Sequence, residues 1–350
     1  MTSPKDLLFY KESIDYILDV QLTDGSICWE KNAKLDPWDH IEAAMGLSVA
    51  GKVEESKKAF YWMKENQEND GSWLSEYING LPIGTKKESN FIAYIATGLL
   101  HNYLINKDIN FLEEMFPTMD LAIRFVLSMQ SKDGDIFWAK EEENILDDSL
   151  ITGCSSIYKS LDCAEAIYKM LGYKHQHITQ SKERLKKALI EKPNRFDRNC
   201  PSKERYSMDW YYPVLCGVIY GQKGLIRIQD KWEKFVVSGL GCKCVNDEPW
   251  VTVAESSELV LALLTLNQRE KAECLFNNLH QWKDKEDNLY WTGYVYPDKK
   301  FWPVEKTTWT AAAVLLAADS LYNFTQGSKL FLKEWGVLDY KKRLNNESES

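Results

Sequence analysis

The sequence has no long hydrophobic run, little histidine, and fewer basic than acidic residues. No stretch of its 350 residues reaches the roughly 20 consecutive apolar residues that a membrane-spanning helix needs. Its 43 lysine and arginine residues face 52 aspartate and glutamate residues, which gives a formal net charge of −9. Nucleic acids and anionic membranes bind basic surfaces. We therefore expect no nucleic-acid partner and no integral membrane segment.

The eight cysteines and five histidines show no spacing that is typical of a metal site. The two closest cysteines, Cys242 and Cys244, are separated by one residue, whereas zinc sites commonly place two to four residues between such ligands. The first residues also lack the apolar segment of a secretion signal. We expect reduced thiols, no protein-bound metal, no cofactor and a cytoplasmic location.

A helical pattern runs along nearly the whole chain. Amphipathic stretches alternate with stretches that are apolar on every face and rich in small residues. The clearest buried stretch runs from Pro303 to Tyr322, with no charge between Thr310 and Ala318. A helix that is apolar all round must be buried, and Pro303 suits its first position. A second buried helix is expected to begin with Asp36 as its N-cap and Pro37 as its first residue.

The alternation gives twelve helices, six buried and six amphipathic. This pattern predicts an all-α fold, an (α/α)6 toroid of six helical hairpins in which six outer helices surround an inner ring. A superhelical solenoid is the alternative, but the distinct first and last helices favour closure. We expect one domain over residues 1–340 and a disordered polar tail over residues 341–350.

A turn of the form Gln-x-x-Asp-Gly, followed by Trp, recurs along the chain. It begins at Gln21, Gln67 and Gln130, with a weaker copy at Gln281. A recurring motif of this kind indicates an internal repeat. The Asp-Gly pair supplies the turn because glycine tolerates positive φ, and we expect the glutamine to bridge helix ends.

These turns resemble the repeats of the prenyltransferase and squalene-oxidase group, which includes the terpenoid and squalene cyclases and the β subunits of protein prenyltransferases. The group shares the α/α toroid, and the resemblance covers residues 5–325. Residues 208–213, 249–255 and 302–305 also resemble bacterial single-domain prenyltransferase-like proteins. The resemblance implies a transferase or cyclase. However, residues 144–148 keep only the last two acids of the cyclase motif, and Asp162 and Cys163 are adjacent where the zinc ligands are spaced.

Helices alternate in direction in such a toroid, so all inner helices begin at the same end. Carboxylates surrounded by aromatic rings collect there, and an apolar surround raises a carboxyl pKa until the group can donate a proton. The candidate acid–base residues are Glu255, Glu305 and Asp209, with Asp39, His40 and Glu42 opposite them. The candidate substrate-binding residues are Trp38, Tyr94, Trp210, Tyr211, Tyr212, Trp250, Trp302 and Trp309.

Structural roles compete with these assignments. Asp39 and Glu305 stand where helix capping or the helix dipole favours an acid. A core ion pair would also account for Glu42 or Glu255, and a hydrogen-bonded core histidine would account for His40.

Three functions fit these residues. The favoured one is a prenyltransferase-like or terpenoid-cyclase-like enzyme that acts on an isoprenoid, or a similar bulky and largely apolar substrate, through carboxylate acid–base chemistry. The second is a glycan-acting (α/α)6 enzyme, hydrolase or epimerase, with paired carboxylates and tryptophan platforms. The third is a non-catalytic toroid that binds a ligand. The two enzymatic readings each require a small-molecule substrate, an isoprenoid or a glycan.

Overall fold

Thirteen α-helices lie within residues 3–332, the part of the chain that the computed structural model describes. They are α1 (Lys11–Val20), α2 (Pro37–Val49), α3 (Val53–Glu65), α4 (Ser89–Asn106), α5 (Ile109–Ser128), α6 (Ile151–Met170), α7 (Gln176–Glu191), α8 (Ser207–Leu215), α9 (Gly221–Asp230), α10 (Trp232–Phe235), α11 (Val253–Thr265), α12 (Arg269–Leu279) and α13 (Thr308–Tyr322). The expected tail over residues 341–350 lies outside the described residues.

Six of these helices form a closed inner ring. Helices α2, α4, α6, α8, α11 and α13 each pack against the next, and α13 returns to α2. Helices α1, α3, α5, α7, α9 and α12 surround them. The predicted (α/α)6 toroid is therefore confirmed, and contact between the last and first inner helices distinguishes it from a solenoid.

Small residues let the inner helices approach closely. A Cβ added to Gly46 on α2 would lie 3.2 Å from the Cα of Ala312 on α13. Alanines 311–313, 317 and 318 are all buried. Such residues lose little side-chain entropy on burial, and they allow the tight packing that closes the ring.

The repeated turn joins successive helical pairs as expected. Gln67 Nε2 donates to the carbonyl of Gly71 within the turn, at 2.9 Å, and to that of Thr118 on the next outer helix, at 2.8 Å. The turns at Gln21 and Gln130 make the same pair of bonds. In the weak copy, Gln281 instead bonds the carbonyls of Gly239 and Asn278.

Eleven short strands also occur in the described part, in the segments between helices, and the sequence analysis did not identify them. They are β1 (Lys34–Leu35), β2 (Tyr77–Ile78), β3 (Leu81–Pro82), β4 (Lys86–Glu88), β5 (Ala139–Glu141), β6 (Asn144–Leu146), β7 (Val236–Val237), β8 (Gly241–Lys243), β9 (Trp250–Thr252), β10 (Gly293–Val295) and β11 (Lys300–Phe301). They form three antiparallel sheets with orders β1-β2-β3, β4-β5-β6 and β11-β10-β9-β8-β7. Five of the six inner helices follow a strand as the next element (β1, β4, β6, β9 and β11), so the sheets surround the end at which the ring helices begin.

The last inner helix begins later than expected. Helix α13 starts at Thr308, with Thr307 as an N-cap whose hydroxyl accepts from the Thr310 amide at 3.0 Å. Pro303 is not its first residue; it follows Trp302 through a cis peptide bond in the loop after β11. Trp302 and Glu305 therefore lie on the rim before the helix, not in its first turn.

One outer element also differs from the expectation. The outer helix expected over residues 225–238 is divided into α9 and α10 and ends in strand β7. None of the helices among residues 3–332 is both long and apolar enough to cross a membrane.

Candidate active site

The first turn of α2 carries two interacting carboxyl groups. Asp36 is the predicted N-cap: its Oδ1 accepts from the Asp39 amide at 2.9 Å, and its Oδ2 accepts from Trp29 Nε1 at 2.8 Å. The Asp39 carboxyl is only 8% exposed and forms a hydrogen bond with the Asp36 carboxyl. Burial, followed by the charges of Asp36 and Glu42, raises the pKa of Asp39 well above its usual value. A raised pKa lets Asp39 keep its proton to higher pH than an ordinary aspartate does, which is what a general acid needs.

Glu255 supplies a buried carboxyl from the first turn of α11. It is 5% exposed, and it forms a hydrogen bond with the thiol of Cys244, just after β8. Burial, followed by the charge of Glu255, raises the pKa of that thiol. Helix α13 packs against both α2 and α11. Asp39 and Glu255 thus begin the two helices that flank α13.

A second pair of carboxyls lies one turn further into the ring. Glu42 accepts a hydrogen bond from Trp38 Nε1 at 2.8 Å, and burial raises the pKa of Glu42 to about 7. Glu258 accepts from the Tyr211 hydroxyl and, at 2.5 Å, from that of Tyr212. Burial, with the charge of Glu42 next in importance, raises the pKa of Glu258 well above its usual value. Glu42 on α2 and Glu258 on α11 therefore face each other inside the ring.

The sequence analysis missed Glu258. It lies three residues after Glu255 in a helix that is otherwise apolar and small, so both acids share one helical face. That spacing, repeated as Asp39 and Glu42 on α2, was available in the sequence.

A small closed cavity lies between the deeper carboxyls. It holds about 10 Å³ of space, enough for roughly one water molecule. Its polar lining comes from Glu42, Tyr94, Ser156, Lys159, Tyr212 and Glu258. The Ser156 hydroxyl is buried and has no hydrogen-bond partner among the described residues. The space between the deeper carboxyls is thus too small for a sugar ring.

Aromatic side chains form the floor and the rim of this mouth. Trp38 stacks on Tyr94 with ring centroids 5.0 Å apart, and it also contacts Tyr212. Nearer solvent, Trp250 Nε1 donates to the Trp302 carbonyl at 2.6 Å, and the two rings meet edge to face. Trp302 is 54% exposed. These rings offer a deep aromatic contact and an exposed platform on one side of the mouth.

Trp309 and Glu305, two further candidates from the sequence, also lie near the mouth. Trp309, in the first turn of α13, is half-buried, and its indole lies near Glu42. Its Nε1 has no hydrogen-bond partner of good geometry among residues 3–332. Glu305 is half-buried on the rim, close to Thr292 and Lys34, and burial raises its pKa.

The structure does not bring Asp209 and Trp210 to the mouth with the other candidates. The charged groups around Asp209 include Asp197, Glu204, Lys231 and, on α9, Arg227; burial, then Asp197, raises the pKa of Asp209 to about 6. Trp210 stacks on Phe235 at 5.1 Å and donates its N–H to the Arg227 carbonyl at 2.8 Å. Both residues therefore face the outer layer around α8, away from the surroundings of Glu255.

His40 is held by backbone groups on both sides of its ring. Its Nδ1 accepts from the Ile27 amide at 3.0 Å, and its Nε2 lies 2.9 Å from the carbonyl of Ala59 on α3. Burial lowers its pKa to about 4, so the ring is neutral at pH 7 and Nε2 carries the hydrogen. These bonds leave His40 no nitrogen with which to contact a substrate.

The described residues contain no group of three or more histidine, cysteine, aspartate or glutamate side chains placed to hold a metal ion. The chemistry that the side chains at the mouth offer is that of carboxyl groups. A buried carboxyl of raised pKa on α2 and a second buried carboxyl on α11 form an arrangement suited to acid–base catalysis on a neutral substrate.

Comparison with known proteins gives one extensive sequence match. The MMP endo-(1,4)-3-O-methyl-alpha-D-mannosidase of Mycolicibacterium hassiacum is 43% identical over 321 residues, which cover 92% of this chain and 88% of that protein. No protein-family model matches the chain.

Solved structures match over nearly the whole fold. A wild-type glycosidase superposes with a TM-score of 0.71 and 11% identity over 91% of this chain and 97% of its own. The GH63 mannosylglycerate hydrolase of Thermus thermophilus gives a TM-score of 0.70 at 11% identity, covering 88% of this chain and 99% of its own. A sugar epimerase from a ruminal bacterium gives 0.66 at 12%, covering 89% and 97%. At these identities the likeness shows the fold alone.

These matches overturn the resemblance to prenyltransferases and terpenoid cyclases. The sequence relative is a mannosidase, and the superposed structures include two glycosidases and a sugar epimerase. The expected isoprenoid substrate and the transferase or cyclase activity are therefore wrong. The repeated turns hold helical pairs together in a toroid, so they indicated the fold and carried no information about the chemistry.

Proposed function

Because the chain belongs to the family of the MMP endo-(1,4)-3-O-methyl-alpha-D-mannosidase, we propose that it is a glycoside hydrolase that cleaves α-1,4-mannosidic bonds within O-methylated chains. The observation that carries this proposal is the pair of buried carboxyls, Asp39 and Glu255, at the start of α2 and α11. Two carboxyl groups on either side of the scissile bond are what glycoside hydrolysis needs. This is the glycan-acting alternative that the sequence left open.

In the proposed reaction, Asp39 donates its proton to the glycosidic oxygen as the bond from that oxygen to C1 breaks. Glu255 accepts a proton from a water molecule whose oxygen bonds to C1. The products are two shorter glycans, and the proton on Glu255 returns through solvent to Asp39. The raised pKa of Asp39 keeps the acid protonated until the substrate is bound.

We propose that the reaction inverts the configuration at C1, because the two acids begin helices that are not direct neighbours in the ring. Neighbouring packed helices have axes 8–10 Å apart, so next-but-one members of a six-membered ring are separated by roughly 14–17 Å. Asp39 and Glu255 begin such next-but-one helices. An inverting pair needs carboxyls roughly 6.5–9.5 Å apart, with room for the attacking water, whereas a retaining pair has them roughly 5 Å apart. We expect an α-linked substrate to release a β-anomer first, which proton NMR can observe directly.

The aromatic rim supports a glycan substrate. The faces of sugar rings are apolar, and O-methyl groups extend that apolar area. Trp302, exposed and braced by Trp250, offers a flat surface for such contacts. Trp38 donates a hydrogen bond to Glu42, and Trp309 lies near Glu42. Both rings limit the space available to the reacting sugar.

The test is hydrolysis of defined oligosaccharides by the wild-type chain and three variants. The substrates are α-1,4-linked 3-O-methylmannose oligomers, the unmethylated mannose oligomers and α-1,4-glucose oligomers, with product lengths read by mass spectrometry. Asp39→Asn and Glu255→Gln should each lower kcat by at least about a thousandfold. Glu114→Gln, on the exposed face of α5, should leave kcat unchanged.

Two results would contradict the proposal at different points. If the wild-type chain shortens none of the mannose oligomers, the function is wrong. If it does so but Asp39→Asn or Glu255→Gln keeps the wild-type rate, the activity stands and the catalytic assignment is wrong.

A further inference from the structure

We propose that Glu42 and Glu258 share a single proton beneath the catalytic pair, and that the charge left on Glu42 controls the proton held by Asp39. Glu42 would then be a positioning residue, because it acts on the reaction only through Asp39. This inference rests on the proposed hydrolase function. It adds that carboxyls inside the ring set the pH up to which Asp39 can act as an acid.

The two carboxyl pairs are stacked in register. Glu42 follows Asp39 by three residues on α2, and Glu258 follows Glu255 by three residues on α11. Three residues advance an α-helix by about 4.5 Å and return nearly to the same face. The deeper pair therefore lies one turn below the catalytic pair on both helices, within electrostatic reach and out of direct contact with substrate.

Every inner helix contributes a group near Glu42. On α2 itself these are Trp38, Asp39 and the N-cap Asp36; the other helices supply Tyr94 from α4, Lys159 from α6, Tyr212 and Cys216 from α8, Glu258 from α11 and Trp309 from α13. Burial raises the pKa of both tyrosines and of the thiol, so these three are neutral at pH 7. The groups able to carry charge around Glu42 are thus carboxyls and the Lys159 ammonium.

A closed cavity of this composition favours one proton on the carboxyl pair. Two buried carboxylates facing each other are strongly destabilised, whereas a carboxylate and a carboxylic acid that share one proton carry a single charge. The hydroxyls of Tyr211 and Tyr212 donate to Glu258 and support a negative charge there. The cavity between the acids has room for one water, and the unpartnered Ser156 hydroxyl can hydrogen-bond to it.

The position of the shared proton affects Asp39, which lies one helical turn nearer the mouth. When Glu42 is ionised, its negative charge raises the pKa of Asp39. When Glu42 carries the proton, that contribution disappears and Asp39 loses its own proton at lower pH. The activity of an acid catalyst falls as pH rises through the pKa of the acid, so this basic limb of the pH–rate profile reports the state of Glu42.

Substituting the two members of the pair should move the basic limb in opposite directions. Glu42→Gln removes the negative charge and should lower the apparent pKa of that limb by about 1 pH unit. Glu258→Gln removes the competitor for the charge, leaves Glu42 ionised, and should raise the same pKa. The double variant should follow Glu42→Gln, because no anion then remains below Asp39.

Two further variants separate this mechanism from general damage to the fold. Tyr94→Phe removes a hydroxyl that lies 3.4 Å from Glu42. It should lower the apparent pKa of the basic limb by less than Glu42→Gln does. Asp319→Asn is the matched control: this acid is 1% exposed on α13 and bonded to Thr325, but it lies eleven residues beyond the start of that helix. Asp319→Asn should leave the apparent pKa of the basic limb unchanged.

A second measurement does not depend on activity. Carbon-13 NMR of labelled aspartate carboxyls, with the Asp39 resonance assigned by Asp39→Asn, should show the same opposite displacements in the titration of Asp39. Movement of both single variants in one direction, or no movement, overturns the inference whether or not hydrolysis is observed. Failure of the hydrolase proposal would instead appear as an inactive wild-type chain.

Discussion

The acids of this protein divide into two groups according to what surrounds each buried carboxyl. Burial alone would raise the pKa of Asp135, but hydrogen bonds from Arg195 and its neighbours lower it to about 2. Glu165, bonded to Lys169 and Lys182, is likewise lowered to about 2 against the effect of burial. At Asp39 and Glu42 the effect of burial outweighs the contacts that favour the charged form, and their pKa values rise. Paired acids hold the structure together, while raised acids are typical of functional sites.

The raised pKa of Glu42 predicts a pH-dependent stability difference for Glu42→Gln. Below about pH 4.5 the glutamate is protonated in both folded and unfolded chains, so the variant should match the wild type. As pH rises to 7, the unfolded chain releases this proton and the folded chain retains it, and the wild type loses stability. At pH 8 the variant should be more stable by on the order of 3 kcal/mol.

Urea unfolding at pH 4.5 and pH 8 checks this difference. Glu114→Gln is a control of opposite sign, because hydrogen bonds from Lys64 and Tyr61 lower the pKa of Glu114 and that variant should gain nothing at pH 8. Equal stability of Glu42→Gln and the wild type at pH 8 would mean that Glu42 is not the raised acid described.

Trp302 should contribute to substrate binding and little to the chemical step. Its ring is exposed and rests on Trp250 through one edge contact. Trp302→Ala should therefore raise KM by roughly 3- to 10-fold and leave kcat within about twofold, since an aromatic contact of this kind is worth about 0.5–1.5 kcal/mol. Val304→Ala, two residues along the same loop and 79% exposed, is the control. A fall in kcat with unchanged KM would place Trp302 nearer the reaction.

Residue types were easier to predict from the sequence than side-chain directions. Glu42 and Glu255 were selected because a carboxyl well inside an apolar helix needs an explanation, and Asp39 because it stands at the start of an inner helix; all three are buried in the structure. Trp210 and Tyr212 were selected together, yet Trp210 packs outward on Phe235 and Tyr212 points to Glu258. Successive helical residues point about 100° apart, and helix rotation within the ring depends on packing that a single sequence does not reveal.

At the level of elements, local features were predicted well. The Gln-x-x-Asp-Gly turn was recognised because its determinants lie within five residues, and its glutamine bridges as expected. The predicted start of α13 was wrong because the residues before the helix form a β-hairpin, which the sequence analysis did not identify. Strand β11 pairs with β10, which draws Lys300 and Phe301 into a sheet and delays the helix to Thr308. The short strands were missed because two or three residues are too few to show the alternation of apolar and polar residues that is typical of a strand.

The repeated turn predicts a large cost for substituting its glycine. Gly71 has φ of +89°, and a Cβ there would lie 2.3 Å from the carbonyl oxygen of Leu121. Gly71→Ala should destabilise the protein by at least about 3 kcal/mol, because the clash with backbone adds to the cost of positive φ. Gly80, at φ of +74° with nothing within 4 Å, is the matched control, and Gly80→Ala should cost about 1 kcal/mol. Urea midpoints measure both, and equal losses would show that the turn can move away from Leu121.

On the scale of the whole molecule, the segment around α1 is bonded to the segment that begins α13. The Thr308 amide donates to the Trp29 carbonyl at 2.8 Å, and the Thr308 hydroxyl donates to the Cys28 carbonyl at 2.7 Å. The hydroxyl of Tyr16 on α1 donates to the carbonyl of Lys306. These bonds join residues about 280 positions apart, at the point where α13 meets α2. The mouth is complete only when this closure forms, since Asp39 and Glu255 lie on opposite sides of α13.

The closure leads us to expect that the ring unfolds as one cooperative unit, which would support the single domain predicted from the sequence. An open solenoid loses stability near the site of a substitution, whereas a closed ring distributes the loss. Thr308→Val removes the buried hydroxyl that bonds Cys28 and should cost about 1–2 kcal/mol. In the closed ring, tryptophan fluorescence and far-ultraviolet circular dichroism should shift to the same lower urea midpoint with an unchanged slope. Amide exchange under mild denaturant should then be accelerated equally in α3, beside the closure, and in α7, across the ring. Faster exchange in α3 alone would mean that the first and last pairs separate before the rest, and the mouth would open by that route.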